Sequence, residues 1–286
     1  MSGIGARGWL PRRSTLAYRK AIQAEEARAM TITLHTETQG YVGHIRFGKP
    51  PFNYACPELL RQIADAIDAF DATTGVRCIV LSSEGKPFCG GADLAGDETL
   101  AGDAGMDAVA GLYGQAMRIF RRRKPMVAAV QGAAVGAGLG LALAADFRVG
   151  APAARFSANF VRLGFHQGFA LSHTLPRLVG EQKAALMLLS ATRVKAEDAL
   201  AWGLVDRLAG QDELLDRAFG MAAEIAENAP LALEAVRSTL MADTLAKLDA
   251  VLAHEHAQQS ILKKTADYAE GVASVFERRE AKFIGS

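Results

Sequence analysis

The sequence has few cysteines and almost no net charge, and both shortages exclude whole classes of protein. Cys56, Cys78 and Cys89 are the three cysteines among 286 residues, and their spacing matches neither a metal site nor a disulfide framework. A reducing compartment, the cytoplasm, is therefore the expected location. The formal net charge is +1, so no broad field attracts nucleic acid or an anionic membrane.

The rest of the composition is that of a globular protein with a sizeable core. Half of the residues (50%) are hydrophobic and 22% are charged, which is typical of soluble domains. A length of 286 residues suits one large domain, or one domain with an appendage.

The first thirty residues differ from the remainder of the chain. They are basic and contain no acidic residue before Glu25, a bias that organelle transit peptides share. They lack the apolar segment of a secretory signal, and Met30 precedes the first convincing strand. We predict that residues 1–30 are a disordered leader or an upstream mis-start rather than a targeting segment.

One stretch, from Lys124 to Ala145, organises the rest of the chain. It contains an apolar run at Met126–Val130, a glycine- and alanine-rich segment at Gly132–Gly140, and then an alanine–leucine segment. The pattern predicts a strand, a tight turn and the N-terminus of a buried helix. Glycine lets a ligand approach the backbone closely, and a helix N-terminus offers unpaired N–H groups with partial positive charge. Such a turn can stabilise an oxygen that becomes negative during a reaction.

Two alternatives compete for this stretch. Residues 126–145 are about the length of a membrane span, and they include Gly132-x-x-x-Gly136 and Gly136-x-x-x-Gly140, the spacing of packed membrane helices. Their apolarity comes mostly from alanine and glycine, which drive insertion weakly. The other alternative is a small-residue helix inside a soluble core, and the same glycines can serve that role and the functional one together.

Hydrophobic periodicity predicts strands and helices in alternation along the chain. A strand pair is predicted at Thr31–His35 and Tyr41–Phe47, joined by a polar turn at Glu37–Gly40. Further strands are predicted at 78–82, 126–130 and 147–149, and helices at 57–70, 106–120, 159–163, 171–179, 181–189, 196–202 and 214–228. The basic run Arg121–Lys124 is predicted to be a solvated face, with phosphate contact as the alternative. The alternation recurs at intervals of about fifty residues and indicates stacked ββα units in an α/β protein.

Four segments carry a resemblance to a known family. They are GKPFCGGADL at 85–94, KPMVAAVQGAAVGAGLGLALAADFRV at 124–149, LPRLVG at 175–180 and ATRVKAEDALAWGLVDRL at 191–208, and the tail at 271–283 adds to them. In this order and spacing they resemble the crotonase superfamily, also called the enoyl-CoA hydratase/isomerase family, over residues 31–286. The resemblance implies an α/β fold of the ClpP/crotonase-like type, a spiral of ββα units.

The resemblance also implies how the chain is organised and what it binds. A spiral core is expected over residues 31–210, and a C-terminal helical region over 211–286 that packs on the core or on a neighbouring subunit. The family's assemblies imply a homotrimer or a dimer of trimers. An acyl-CoA is the implied partner, with no nucleic acid, membrane or metal, and with no cofactor beyond the coenzyme A of the substrate. Gly136-x-Gly138-x-x-Leu141 lacks the third glycine of a dinucleotide fingerprint, which argues against a nicotinamide cofactor.

By the same resemblance, two backbone N–H groups hold the thioester. Those of Ala92 and Ala137 would bind its carbonyl oxygen and stabilise the enolate-like charge that develops there. An ordinary turn and simple packing are the alternatives for these two positions. Lys86 to Phe88 align with backbone that meets the CoA adenine, and Arg278 aligns with a phosphate contact or is a solvated arginine. The substrate-binding positions implied on the matching segments are Lys86, Phe88, Asp93, Leu94, Gly136, Gly138 and Arg278.

Three positions depart from the family's acid–base pattern. The two glutamates that its hydratases use align with Gly140 and Phe160, and the acid that its isomerases often use aligns with Gly168. None of these side chains can transfer a proton. Together with Phe165 and Phe169, Phe160 is expected to form an apolar acyl pocket or part of the core.

His166 is the predicted replacement, because an imidazole suits proton transfer near neutral pH. A hydrogen-bonded structural histidine is the alternative. The loop acids Asp97, Glu98 and Asp103 are further candidates, or else solvated residues. We therefore expect an acyl-CoA enzyme of the enoyl-CoA hydratase/isomerase type. Its reaction would be hydration, isomerisation, thioester hydrolysis or decarboxylation. A CoA-thioester-binding protein with little catalysis is the alternative from another class.

Overall fold

The structure of the protein is a computed structural model that describes residues 31–93 and 105–286. The predicted leader, residues 1–30, lies outside these ranges, as do Leu94 and the loop acids Asp97, Glu98 and Asp103. The predicted division between 31–210 and 211–286 stays a prediction.

Strands and helices alternate through the first two thirds of the chain, and helices follow. The strands are β1 Thr33–Gln39, β2 Val42–Gly48, β3 Cys78–Ser83, β4 Met126–Val130, β5 Ala133–Val135, β6 Phe147–Gly150, β7 Arg155–Ser157, β8 Arg193–Lys195 and β9 Arg207–Leu208. The α-helices are α1 Pro57–Ala72, α2 Gly105–Arg121, α3 Ala137–Ala144, α4 Leu171–Val179, α5 Glu181–Ser190, α6 Ala196–Ala201, α7 Leu214–Ala226, α8 Pro230–Leu262 and α9 Ala266–Glu277. Short 3₁₀ helices cover Asn159–Leu163 and Gln211–Glu213.

Two sheets order these strands. The larger has the order β1-β2-β3-β4-β6-β9, in which β1 and β2 are antiparallel and every later pair is parallel. The smaller has the order β5-β7-β8, with β5 and β7 parallel. Strand β5 follows β4 directly, so the chain passes from the large sheet to the small one just before α3 begins.

The parallel strands of the larger sheet bury both faces, as their almost continuous apolar sequences predict. One face packs with helix α7 in a cluster that includes Val80, Val127, Val149, Leu214, Ala218 and Ala222. The other face belongs to the main core, which includes Ile79, Leu81, Met126, Leu60, Ile63 and Ile67. The sheet thus fixes the end of β4, and with it the start of β5 and α3.

Two local predictions are corrected by the structure, and one alternative is excluded. Strand β1 continues through Gln39, so the turn is confined to Gly40 and Tyr41, because an exposed edge strand can carry polar residues. The predicted turn after Val130 contains the extra strand β5. The stretch 126–145 is two strands and an eight-residue helix rather than one long helix. In the described ranges, no helix is long and apolar enough to cross a membrane.

The prediction of a solvated basic face at Arg121–Lys124 is wrong for two of its four residues. Arg122 is 2% exposed and Lys124 is 3% exposed. The Lys124 ammonium donates hydrogen bonds to the carbonyl oxygens of Phe70 and Thr73, where α1 ends. A cation at a helix C-terminus compensates the unpaired carbonyl groups there.

Arg122 belongs to a charge cluster centred on Asp146. The Asp146 carboxylate accepts hydrogen bonds from Arg122 Nη2 (2.6 Å), Arg237 Nε (3.1 Å) and the Met126 N–H (2.8 Å). Burial opposes ionisation of Asp146, but the two guanidinium groups outweigh it and hold the pKa of the carboxyl below its usual value. Because Arg237 lies on α8, this cluster attaches the long helix to the sheet.

Asp146→Asn should therefore destabilise the protein by about 3–5 kcal/mol, because it leaves two buried arginines without an anion. Urea unfolding measures the change. Since folding lowers the pKa of Asp146, the ionised carboxylate contributes fully to the free energy of unfolding at pH values above the ordinary aspartate pKa. The difference in free energy of unfolding between the wild type and Asp146→Asn should narrow as the pH falls towards the lower pKa that Asp146 has in the folded protein.

Asp249→Asn is the matched control. Asp249 pairs with Arg121 (3.1 Å) on the surface, where both side chains are more than half exposed. Its loss should cost about 1 kcal/mol or less. Equal effects of the two substitutions would contradict the structural role of the Asp146 cluster.

Candidate active site

A small cavity of about 80 Å³ lies beside the N-terminus of α3. Backbone from Gly90–Ala92, Gly136–Ala137 and Gly168 forms part of its wall. The apolar side chains that line it are Val109, Leu112, Phe160, Leu163, Phe165 and Phe169. Among the described residues, its polar side chains are those of Tyr113, Asn159 and Gln259. The cavity is therefore largely apolar, with a few polar groups in fixed positions.

Ala92 lines this cavity, and its N–H group has no acceptor among the described residues. Ala55 bonds to the residues on either side of Ala92: its N–H donates to the Gly91 carbonyl (2.8 Å), and its carbonyl accepts from the Asp93 N–H (3.3 Å). Because a short parallel bridge uses alternate peptide groups, the Ala92 N–H is left on the opposite side.

The N–H group of Ala137 also has no acceptor among the described residues. Ala137 is the first residue of α3, where the helix has no internal partner for an N–H group. Gly136 before it has φ of 53°, and its own N–H donates to the Ser157 carbonyl (2.9 Å). The bend at this glycine aligns the helix start with the cavity.

Glycine brings the two donor segments into contact. A Cβ atom at position 138 would lie 2.2 Å from the carbonyl oxygen of Cys89, so only glycine permits this approach. Gly138, which was expected to bind substrate, is not among the described residues that line the cavity; it packs the helix against the 89–91 segment. Gly136 lines the cavity directly.

A polar network missed by the sequence analysis holds the loop that carries Ala92. The Asn53 amide donates to the carbonyl oxygens of Glu84 (2.7 Å) and Pro87 (3.1 Å). Lys49 Nζ lies 3.1 Å from Asp93 Oδ2. Asparagine after a proline pair is a turn signal in the sequence, but nothing there shows which carbonyl groups it meets.

The positions that align with the family's acids are filled by other groups. A Cβ at Gly140 would lie 2.5 Å from Cβ of Phe169, and a Cβ at Gly168 would lie 1.9 Å from the Tyr113 hydroxyl oxygen. Phe160 lines the cavity with its ring. A carboxylate at 140 or 168 would require its neighbour to move.

The segment that follows Gly168 has an unusual backbone. Phe169 and Ala170 both have positive φ, 59° and 61°. Glu255, fully buried on α8, accepts hydrogen bonds from the N–H groups of Ala170 (2.8 Å) and Ser172 (2.9 Å). Burial raises the pKa of Glu255, although the hydrogen bonds from these two N–H groups act in the opposite direction. The carboxyl group caps α4 and holds the two left-handed residues in place.

His166 is not among the described residues that line the cavity. Its Nδ1 donates to the carbonyl oxygen of Gln167 (2.8 Å), and its ring packs edge-on against His254 at 5.9 Å. Burial lowers the pKa of His166, although the hydrogen bond to Gln167 acts in the opposite direction. The imidazole is therefore neutral near pH 7, with Nε2 as a hydrogen-bond acceptor.

The remaining predicted residues divide between the cavity and the rest of the molecule. Phe160, Phe165 and Phe169 line the cavity together, and their role in an acyl pocket stays a prediction. Phe88 is fully buried and packs edge-on against Phe47, so its side chain belongs to the core. Lys86 is exposed, on the loop before Phe88.

Arg278 is exposed and directly follows α9 rather than lying on it. It has φ of 54°, the left-handed conformation that often ends a helix. Arg278 does not line the cavity described above.

Gly140→Ala should destabilise the protein by about 1–3 kcal/mol, because the added methyl group overlaps Phe169 in a packed core. Gly114→Ala is the matched control, since Gly114 is also helical but has no atom within 4 Å of an added Cβ. That control should gain up to about 1 kcal/mol from helix propensity. Thermal and urea unfolding measure both; a neutral Gly140→Ala would contradict the packing of Phe169 on α3.

Comparison with known proteins identifies the family. The family model described as "Enoyl-CoA hydratase/isomerase" matches residues 37–286. A putative enoyl-CoA hydratase of Thermus thermophilus is 36% identical over 81% of this chain and 92% of its own length. A crotonyl-CoA hydratase of Syntrophomonas wolfei is 32% identical over 79% of this chain and 88% of its own.

Solved structures agree with the sequence comparison. The crystal structure of an enoyl-CoA hydratase/isomerase from Pseudoalteromonas atlantica superimposes with a TM-score of 0.79 at 26% identity, covering 88% of this chain and 99% of that one. The predicted α/β class and crotonase fold are confirmed. This chain belongs to the enoyl-CoA hydratase/isomerase family of acyl-CoA enzymes, the crotonase superfamily.

Proposed function

We propose that this enzyme stabilises a thioester enolate between the N–H groups of Ala92 and Ala137. The observation that carries the proposal is that both residues line one cavity and that neither N–H group has an acceptor among the described residues. Unpaired backbone N–H groups at a buried position are costly in a folded protein. Two of them in one apolar cavity are what an oxyanion site requires.

The proposed chemistry follows from these two donors. The carbonyl oxygen of an acyl-CoA thioester accepts both N–H groups, and the charge that develops on it during reaction at the α or β carbon is stabilised. Ala137 adds the partial positive charge of a helix N-terminus. The apolar walls strengthen both interactions by keeping water out.

Hydration by two glutamates is not supported by the residues present. Gly140 and Phe160 stand at the two aligned positions, and Phe169 fills the space beside Gly140. In the described part of the chain, no carboxylate lines the cavity. We therefore favour isomerisation or another reaction of the enolate over hydration by two glutamates, with the loop acids Asp97, Glu98 and Asp103 as candidate proton carriers.

His166 remains a proposed proton carrier of second rank. Its neutral Nε2 suits the role of a base, and its neighbour Phe165 lines the cavity. The ring itself does not line the cavity, so it would have to change position in order to reach the substrate.

The rest of the coenzyme would lie along the surface outside the cavity. We propose that backbone at Lys86–Phe88 meets the adenine, that Asp93 and Leu94 contribute to substrate binding, and that Arg278 meets phosphate. Coenzyme A enters as part of the substrate, and no other cofactor is proposed.

We also propose a homotrimer or a dimer of trimers in the cytoplasm. Exposed apolar side chains on α8 support an assembly, since Leu231, Val236 and Leu240 are each more than half exposed. Val236 and Leu240 also line a groove of about 540 Å³ between α8 and the core.

A CoA-thioester-binding protein with little catalysis is the second candidate. The observation that favours it is the lack of any carboxylate among the described residues that line the cavity. Turnover and binding, measured on one panel of acyl-CoA thioesters, separate the two candidates.

Ala92→Pro and Ala137→Pro each remove one N–H donor and should lower turnover by on the order of a hundredfold or more. Turnover is measured as exchange of the α hydrogens of an acyl-CoA with D₂O, or as product formation. Ala92→Gly and Ala137→Gly keep the N–H groups and are the matched controls. A folded proline variant with normal turnover, checked by circular dichroism, would remove that donor from the proposal.

Crotonyl-CoA should be hydrated far more slowly by this enzyme than by the Syntrophomonas wolfei crotonyl-CoA hydratase. The reason is that neither Gly140 nor Phe160 can activate water or deliver a proton. Loss of enoyl-thioester absorbance, measured side by side for the two enzymes, gives the ratio. Comparable rates would show that another base is present.

A further inference from the structure

We propose that Tyr113 and Gln259 select the substrate's acyl group by binding a hydroxyl that a short acyl-CoA thioester carries. This inference rests on the proposed function, because it concerns the acyl end of the same cavity. It adds two specificity-determining residues that lie outside the segments GKPFCGGADL and KPMVAAVQGAAVGAGLGLALAADFRV.

The first observation is the position of the Tyr113 hydroxyl. Tyr113 is 7% exposed and lines the cavity, and its oxygen lies against the backbone of Gly168. Within the described residues, it is the one titratable side chain in the cavity wall. Burial raises the pKa of Tyr113 well above its usual value, so the group is a neutral hydroxyl at physiological pH.

The second observation is that Tyr113 and Gln259 are fixed by hydrogen bonds. The Tyr113 hydroxyl donates a hydrogen bond to Gln259 Oε1 (2.9 Å). Gln259 Nε2 donates to the carbonyl oxygen of His166 (3.0 Å). A pair held in this way is already ordered before a ligand arrives, which is the arrangement that gives specificity at low entropic cost.

The third observation is the hydrogen-bonding capacity that these contacts leave. A tyrosine oxygen can accept two hydrogen bonds, and a glutamine amide can donate two and accept two. After these contacts, two lone pairs on the Tyr113 oxygen, one lone pair on Gln259 Oε1 and one N–H on Gln259 Nε2 have no partner among the described residues. A hydroxyl group both donates and accepts, so it matches this set, whereas a carbonyl oxygen can only accept.

The other walls set the size and polarity of the acyl group. At about 80 Å³, the cavity is roughly half the ~150 Å³ of a cavity that holds benzene, so the acyl group is short. The apolar side chains around the pair suit its carbon atoms. A plain hydrocarbon in this place would bury the spare polar groups without partners, which costs affinity.

Calorimetric titration of the enzyme with three thioesters tests the proposal. 3-Hydroxybutyryl-CoA should bind about tenfold or more tightly than butyryl-CoA, which is the difference that one or two net hydrogen bonds provide. Acetoacetyl-CoA, which only accepts, should fall between them. Equal affinity for the hydroxylated and the plain thioester would overturn the proposal.

Two substitutions test whether Tyr113 and Gln259 cause the preference for the hydroxylated thioester. Tyr113→Phe removes one oxygen atom and should abolish most of the preference for the hydroxyl while butyryl-CoA binds as before. Gln259→Leu should do the same, and the double variant should lose little more than either single one, because the two residues act as one group. Tyr41→Phe is the control, because Tyr41 is exposed, packs against the Arg77 guanidinium and does not line the cavity.

The outcomes also distinguish this inference from the function it rests on. Tight binding of all three thioesters without a preference, or a preference that both variants retain in full, would overturn the inference and leave the proposed function intact. Failure of the enzyme to bind any acyl-CoA would overturn both. Thermal unfolding shows whether a variant is folded, and Tyr113→Phe and Gln259→Leu provide independent tests if one of them is not.

Discussion

Close contact between two pieces of backbone is the constraint on which the site depends. The 89–91 segment lies so close to the start of α3 that a Cβ atom at position 138 would be 2.2 Å from the Cys89 carbonyl oxygen. At the other end of β5, a Cβ at Gly132 would be 2.0 Å from the Lys86 carbonyl oxygen. Both contacts require glycine. Side chains at these positions would separate the two N–H groups that share the cavity.

The long helix α8 connects this site to the rest of the molecule. Its buried positions are Arg237, Thr244, Leu248, Leu252, Glu255 and Gln259. The spacing is that of one helical face, but most of these side chains are polar. Arg237 bonds to the Asp146 cluster beneath the sheet, while Glu255 and Gln259 bond to the segment around the cavity. The same helix therefore contributes to stability at one end and to the site at the other.

The central features of the fold were predictable because they depend on local sequence. The strand Met126–Val130, the glycine-rich turn and the helix after it follow from apolar runs and glycine positions. The aromatic lining at Phe160, Phe165 and Phe169 was also expected, because apolar residues beside a candidate site are its natural walls.

The features that sequence reasoning missed depend on contacts between distant residues. Tyr113 and Gln259 are separated by 146 positions, and no local pattern relates them. Gln259 and Glu255 belong to a buried face that is not apolar, so hydrophobic periodicity does not reveal it. A run of charged residues usually indicates a solvent-exposed face, so the sequence predicts Arg122 and Lys124 on the surface. Their partners, Asp146 and the C-terminal end of α1, become visible only in the fold.

The hydrogen bonds of Glu255 to the segment that follows Phe169 affect how the enzyme's substrate range can change. The backbone proposed to bind the thioester oxygen belongs to the 90–92 segment and α3. The wall at the proposed acyl end is instead kept in its left-handed backbone conformation by a carboxyl group on α8. The proposed enolate chemistry and the proposed acyl preference thus reside on different elements of secondary structure. If both proposals hold, substitutions on one face of α8 reshape the acyl end while the two N–H donors stay in place, and new acyl groups become accessible without a change in the reaction.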